Sequence, residues 1–84
     1  MAKVIKMIEN EGAETFVFDD GVVIETAEKY FGMYADGYME IKHKNESFYA
    51  HIETYMGGIL SSSSHIPHKY AEYVKQTDSR FKTL

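Results

Sequence analysis

The chain has 84 residues, 44% of them hydrophobic and 14% aromatic, with no cysteine, one proline and a formal charge of −4. A chain of this length buries only about 60% of its unfolded surface, so it supports one domain around one thin core. The composition excludes intrinsic disorder, and the lack of cysteine excludes a disulfide framework, a thiolate nucleophile and a cysteine-based metal site.

Residues 3–9 are rich in β-branched side chains and read as a strand ended by Asn10-Glu11-Gly12. Thr15–Phe18 and Val22–Glu25 flank Asp19-Asp20-Gly21, and an Asp-Gly pair between β-favouring runs signals a hairpin. With Asp20-Gly21 as the loop, Phe18 faces Val23 and Val17 faces Ile24. Both faces of this hairpin are apolar, so either both are covered or one is kept for a partner.

Thr26 to Gly37 admits two readings. As a helix, Thr26 caps it, Ala27, Tyr30, Phe31, Tyr34 and Ala35 form the stripe, and Gly37 ends it. As a strand, Tyr30–Tyr34 runs into a turn at Asp36-Gly37 and on to Met39 and Ile41. The helical reading is the preferred one, although Gly32 and the crowded aromatics weaken it.

The clearest local feature is a hairpin of 38–44 and 47–55 around Asn45-Glu46. A two-residue loop there pairs 43 with 48, 41 with 50 and 39 with 52. It collects Met39, Ile41, His43, Phe48, Ala50 and Ile52 on one face, with Glu40 opposite His51, Lys42 opposite Tyr49 and Tyr38 opposite Glu53 on the other. Tyr55 to Ser64, with its glycine pair and serine run, reads as a long flexible loop. Pro67 then opens a C-terminal helix with Ile66, Tyr70, Tyr73, Val74 and Phe81 as its apolar stripe, capped by Ser64 or His65. The fold class expected from these elements is α+β: an antiparallel sheet of four to five strands with the C-terminal helix packed on one face, making a single small globular domain over residues 1–84.

No catalytic constellation emerges. His65 and His68 are spaced i, i+3, while His43 and His51 fall on opposite faces of their hairpin, so no metal site and no cofactor is expected. Ser61–Ser64 beside His65 lack a nucleophile elbow, Gly57-Gly58 lacks the rest of a phosphate loop, and the Asp19-Asp20 pair serves a turn. Asn45-Glu46-Ser47 matches a glycosylation sequon, which has meaning only in a secreted chain. The longest aliphatic run, Val22-Val23-Ile24, is far below the ~20 residues of a membrane span, and no signal-peptide pattern follows Lys3 and Lys6. The expectation is therefore a soluble, cytoplasmic protein that is not an enzyme.

Charge is unevenly placed: residues 9–36 hold eight acids against one lysine, whereas the second half is slightly basic. An acidic surface repels phosphate, which argues against direct nucleic-acid binding and for a protein partner with a basic surface. Tyr38, Tyr49 and Tyr55 fall on the polar face of the second hairpin, and tyrosine combines contact area with a wettable tip. Asp19, Asp20, Glu25, Glu28, Tyr38, Tyr49 and Tyr55 are accordingly the candidate partner-binding residues. In size and charge the chain resembles the inhibitors that phages and mobile elements deploy against host nucleases and CRISPR machinery. That resemblance implies a binding module that blocks a basic nucleic-acid-binding surface. Two alternatives are a homo-oligomeric structural or accessory subunit joined through the first hairpin, and a small-ligand binder with a pocket under the Gly57–Ser64 loop.

Overall fold

Apolar and polar residues alternate through most of the chain, and in the computed structural model, which describes residues 2–77, most of it is strand. The six strands are β1 (Val4–Asn10), β2 (Ala13–Phe18), β3 (Val23–Phe31), β4 (Tyr34–His43), β5 (Glu46–Tyr55) and β6 (Gly58–Ser64). They pair in sequence order, each antiparallel to the next, in one six-stranded meander. A 3-10 turn, His68–Tyr70, then leads into one turn of α-helix, α1 (Ala71–Val74). The expected α+β class is thus corrected to a mostly β fold, with 64% strand among the described residues, six strands rather than four or five, and a seven-residue helical segment.

Because side chains alternate along each strand, the register divides the molecule into two faces. One face carries Phe16, Phe18, Val22, Ile24, Met39, Ile41, Ala50 and Ile52, all buried, and Tyr70 and Val74 from the helical segment complete that core. Phe18 and Tyr73 meet edge to face at 5.0 Å, and Tyr70 lies 5.5 Å from Phe48. Two polar ties fix the segment in place. Gln76 Nε2 donates to the Ala2 carbonyl at 2.9 Å, and the Tyr73 hydroxyl donates to Asp20. The helix expected from Pro67 onward is instead this short segment, which packs on the face of Met39 and Ile41; Phe81 lies outside the described residues. Its N-terminus has no side-chain cap on the 3-10 turn, and Ser64 instead accepts from the Ile66 amide at 3.5 Å.

Several local expectations are revised. Residues 26–37 are not helical. Val23–Phe31 is a central strand with β2 and β4 on either side, and that ladder outweighs the helical spacing of its aromatics. The turn that follows is at Gly32-Met33, with Gly32 at φ +64° and Met33 at ordinary φ, the pattern of a glycine-first two-residue hairpin loop. Asp36-Gly37 is mid-strand instead. A Cβ at Gly37 would come within 3.2 Å of the Ala27 carbonyl oxygen, so the glycine permits a close strand approach there.

The first hairpin is offset by one residue from the expected register, with Val17 opposite Val23 and Phe16 opposite Ile24. Its loop has three residues, Asp19-Asp20-Gly21, closed by the Phe18 amide on the Val22 carbonyl at 2.9 Å. The second hairpin turns at Lys44-Asn45 rather than Asn45-Glu46, so Ile41 lies opposite Phe48 and Met39 opposite Ala50. A two-residue shift in the pairing leaves every side chain on its expected face, which is why the predicted core survives the wrong register. The Tyr55–Ser64 loop is a strand entered through Met56-Gly57, both at positive φ (52° and 83°). An open groove lined by Ala35, Ile52, Thr54, Gly57 and Ile59 among others lies beside it, bounded by strands rather than by a loop.

Ile41 is fully buried at the centre of the covered face. Ile41→Ala should cost about 2–5 kcal/mol in a urea titration, and Ile41→Asp, which leaves an unpaired charge in the core, should prevent stable folding at room temperature.

Candidate functional site

The second sheet face has no covering layer among the described residues. Its centre is built by β3, β4 and β5, whose outward positions bring together Glu25, Asp36, Tyr38, Glu40, Tyr49, His51 and Glu53. Tyr38 and Tyr49 stack, with ring centroids 5.9 Å apart and planes 16° from parallel. Tyr55 stands half-exposed at the end of β5 on the same face.

Two pairs of carboxylates are directly opposed across this face, Glu25 with Glu40 and Asp36 with Glu53. Like charges in register destabilise a sheet, so this arrangement works against the fold. Neighbouring side chains offset part of that cost. The Tyr38 hydroxyl donates to Glu25 at 2.7 Å, and the Tyr34 hydroxyl donates to Glu53 at 2.5 Å. His51 Nε2 lies 2.5 Å from Asp36, and its Nδ1 lies 4.0 Å from Glu53. Glu40 receives the Ser47 hydroxyl at 3.1 Å and the Lys42 ammonium at 3.4 Å. The hydrogen bond to Glu25 stabilises the neutral Tyr38 phenol, and partial burial adds to it, pushing its pKa up to about 12. Tyr34 is pushed up to about 12 in the same way by Glu53.

The sequence-derived candidates therefore separate into groups. Glu25, Tyr38, Tyr49 and Tyr55 share the open face. Glu28, three residues beyond Glu25 on the same strand, points to the other face, where the Tyr30 hydroxyl donates to it. Asp19 and Asp20 sit in the β2–β3 turn and hold the fold. Asp19 Oδ1 accepts the Lys3 amide at 3.3 Å, while Asp20 accepts the Val22 amide at 3.2 Å and the Tyr73 hydroxyl. The Tyr73 hydrogen bond is the main cause holding the Asp20 carboxyl below the usual range, and it pushes the Tyr73 phenol up in return. Asp36, Glu40, His51, Glu53 and Tyr34 join the face without having been singled out. The signal that could have found them is the alternation of β4 and β5, which already placed Glu40, His51 and Glu53 on the polar side.

His51 is flanked by carboxylates, but no hydroxyl nucleophile lies within its hydrogen-bonding contacts. Among the described residues no group of three or more His, Asp or Glu side chains is placed to hold a metal ion, and no helix is long and apolar enough to cross a membrane. His43 is not opposite Phe48. It faces Glu46, and its Nδ1 lies 3.1 Å from the Tyr70 hydroxyl. Compared with known protein families, curated proteins and solved structures, the chain matches none.

The tyrosine–carboxylate bonds make a pH prediction. A phenol whose pKa is raised from 10.0 to about 12 in the fold contributes stability that is fully present below pH 10 and lost as pH rises towards 12. Thermal melts should therefore decline across that interval. In Glu25→Ala, Tyr38 should ionise nearer pH 10 by tyrosinate absorbance, and part of the alkaline decline should move down with it.

Proposed function

We propose that this chain is a cytoplasmic, non-enzymatic protein-binding module whose open sheet face occupies a basic surface of its partner. In this reading it acts as an inhibitor, with its carboxylates standing against lysines and arginines that would otherwise meet nucleic-acid phosphate. The observation that carries the reading is the pair of like-charge contacts, Glu25 with Glu40 and Asp36 with Glu53, on an uncovered face around stacked Tyr38 and Tyr49. A fold gains nothing from opposed carboxylates, and departures from local stability rules concentrate at functional sites. A cationic partner would relieve both repulsions at once, while the tyrosines supply desolvated contact area. Carboxylates at the rim would steer association, so the on-rate would carry much of the salt dependence.

This function differs from the sequence-based expectation in the residues it uses. Glu25, Tyr38, Tyr49 and Tyr55 remain in the binding set, joined by Asp36, Glu40 and Glu53. Asp19, Asp20 and Glu28 fall outside its centre.

The test compares wild type with the double variant Glu25→Lys/Glu53→Lys as baits in one lysate. A basic protein retained by wild type, released as salt rises and absent from the variant is the expected outcome. Equal capture by both baits, or capture indifferent to salt, overturns the reading. A companion measurement separates function from folding: Glu40→Gln should weaken that partner's binding while raising stability by about 0.2–1 kcal/mol, since it removes one of two opposed charges.

A further inference from the structure

At one end of the sheet the β3–β4 and β5–β6 turns form an uncharged corner that neither the core nor the open face uses. Tyr30, Phe31, Met33, Met56, Ile59 and Leu60 are each 58–67% exposed there. The two turns are joined by the Met56 amide on the Met33 carbonyl at 3.0 Å, so the corner is a preformed surface. Tyr30, Met33 and Ile59 also line an open groove of about 470 Å³. Neither 30–35 nor 54–64 contains a single acid or base. Neighbouring residues of a strand point to opposite faces, so Tyr30 and Ile59 belong to the covered side of the sheet and Phe31 to the open side, and these exposed side chains wrap around its end.

The corner continues into β6, the edge of the sheet. Native edges are normally protected by charges or proline, and β1 at the opposite edge carries Lys6 and Glu9. β6 carries neither: beyond an irregularity in pairing between Glu53 and Thr54, its sequence is four serines. The His65 amide bonds to the Tyr49 carbonyl at 3.0 Å. Antiparallel pairing alternates bonded and non-bonded positions, so Ser63 and Ser61 bond inward to β5, and the amides and carbonyls of Ser62 and Ser64 face outward.

We propose that the β6 edge, with Ile59 and Leu60 at its corner end, binds a second copy of this chain, β6 against β6, about a two-fold axis at Ser63. That axis sets Ser62 of each copy opposite Ser64 of the other, which pairs the outward-facing groups. It also brings Leu60 and Ile59 towards the segment that follows the partner's β6, where Ile66 and Pro67 are both partly exposed. The contact is therefore self-complementary in hydrogen bonding and in apolar character, as a closed two-fold interface must be. Charge selects the same occupant. A chain of net charge −4 would oppose like charges if it met itself through the open face, whereas the corner brings no charge against its copy. The two six-stranded sheets become one continuous sheet, and the two open faces lie side by side.

Sedimentation equilibrium over a concentration series up to millimolar tests the proposal, with the full chain and two variants. Wild type should approach twice its 9.7 kDa mass. Ser62→Pro removes an amide that points away from the sheet, which an edge strand tolerates, so it should keep the native circular dichroism while weakening dimerisation by about tenfold or more. Leu60→Glu, at an exposed position, should weaken it comparably by bringing a charge towards that apolar segment. A wild type that stays monomeric at millimolar concentration overturns the proposal, as does a dimer that survives both substitutions in folded protein. A monomer that instead co-sediments with phosphatidylcholine vesicles also overturns it, assigning the corner to lipid.

Discussion

A sheet of six strands has two faces to shield, and in the described chain only residues 66–77 are available to shield them. Twelve residues can cover one. Tyr70 and Val74 do so by dropping onto Phe18, Met39, Ile41 and Phe48 and their neighbours, held by the Tyr73–Asp20 and Gln76–Ala2 ties. Everything on the other side must then coexist with water. That requirement accounts for the polar and aromatic character of the open face, where half-buried tyrosines hold carboxylates by their hydroxyls. It also explains why Asp20, which looks like a free surface acid, is committed to the covering segment.

Much of this arrangement was legible because two-residue alternation is insensitive to small errors in pairing. Met39, Ile41, Ala50 and Ile52 were assigned to the core from a register two residues away from the true one, and the parity of the shift kept them there. The first hairpin was less forgiving. Its Asp-Asp-Gly loop has three residues rather than two, and the one-residue offset carries both Val22 and Ile24 to the buried face of Phe16 and Phe18. The helical reading of 26–37 failed because Ala27, Tyr30, Phe31, Tyr34 and Ala35 fit a 3.6-residue period by coincidence. In the strands, Tyr30 and Ala35 take one face and Ala27, Phe31 and Tyr34 the other. Serines 61–64 were illegible as strand, since an edge asks little of its side chains and its backbone is held by β5. At the candidate site, Glu25, Tyr38, Tyr49 and Tyr55 could be read from alternation alone. The opposition of Glu25 to Glu40 could not, because it depends on where Gly32-Met33 turns the chain.

The open face and the uncharged corner divide the surface by charge. The carboxylates lie across β3, β4 and β5, and the apolar residues lie at the ends of those same strands and along β6. A side-by-side pair of sheets would present two copies of the Tyr38–Tyr49 stack on one surface. A basic partner with repeated positive clusters would then engage both at once, and the second contact would be intramolecular.

The strict neighbour-to-neighbour order of the strands has a consequence for how the molecule forms. Every ladder joins adjacent segments, so each hairpin can close as soon as its second strand exists, with short loops to order and little chain entropy lost at any step. The covering segment is different, since Gln76 must find Ala2 across nearly the whole sequence and Tyr73 must find Asp20 across more than half of it. During synthesis the six strands leave the ribosome before residues 66–77 do. Phe16, Phe18, Ile24, Met39 and Ile41 therefore pass through an interval in which the sheet is assembled and its greasy side is bare. That interval, rather than strand pairing, is when nascent chains would be most vulnerable to sticking together.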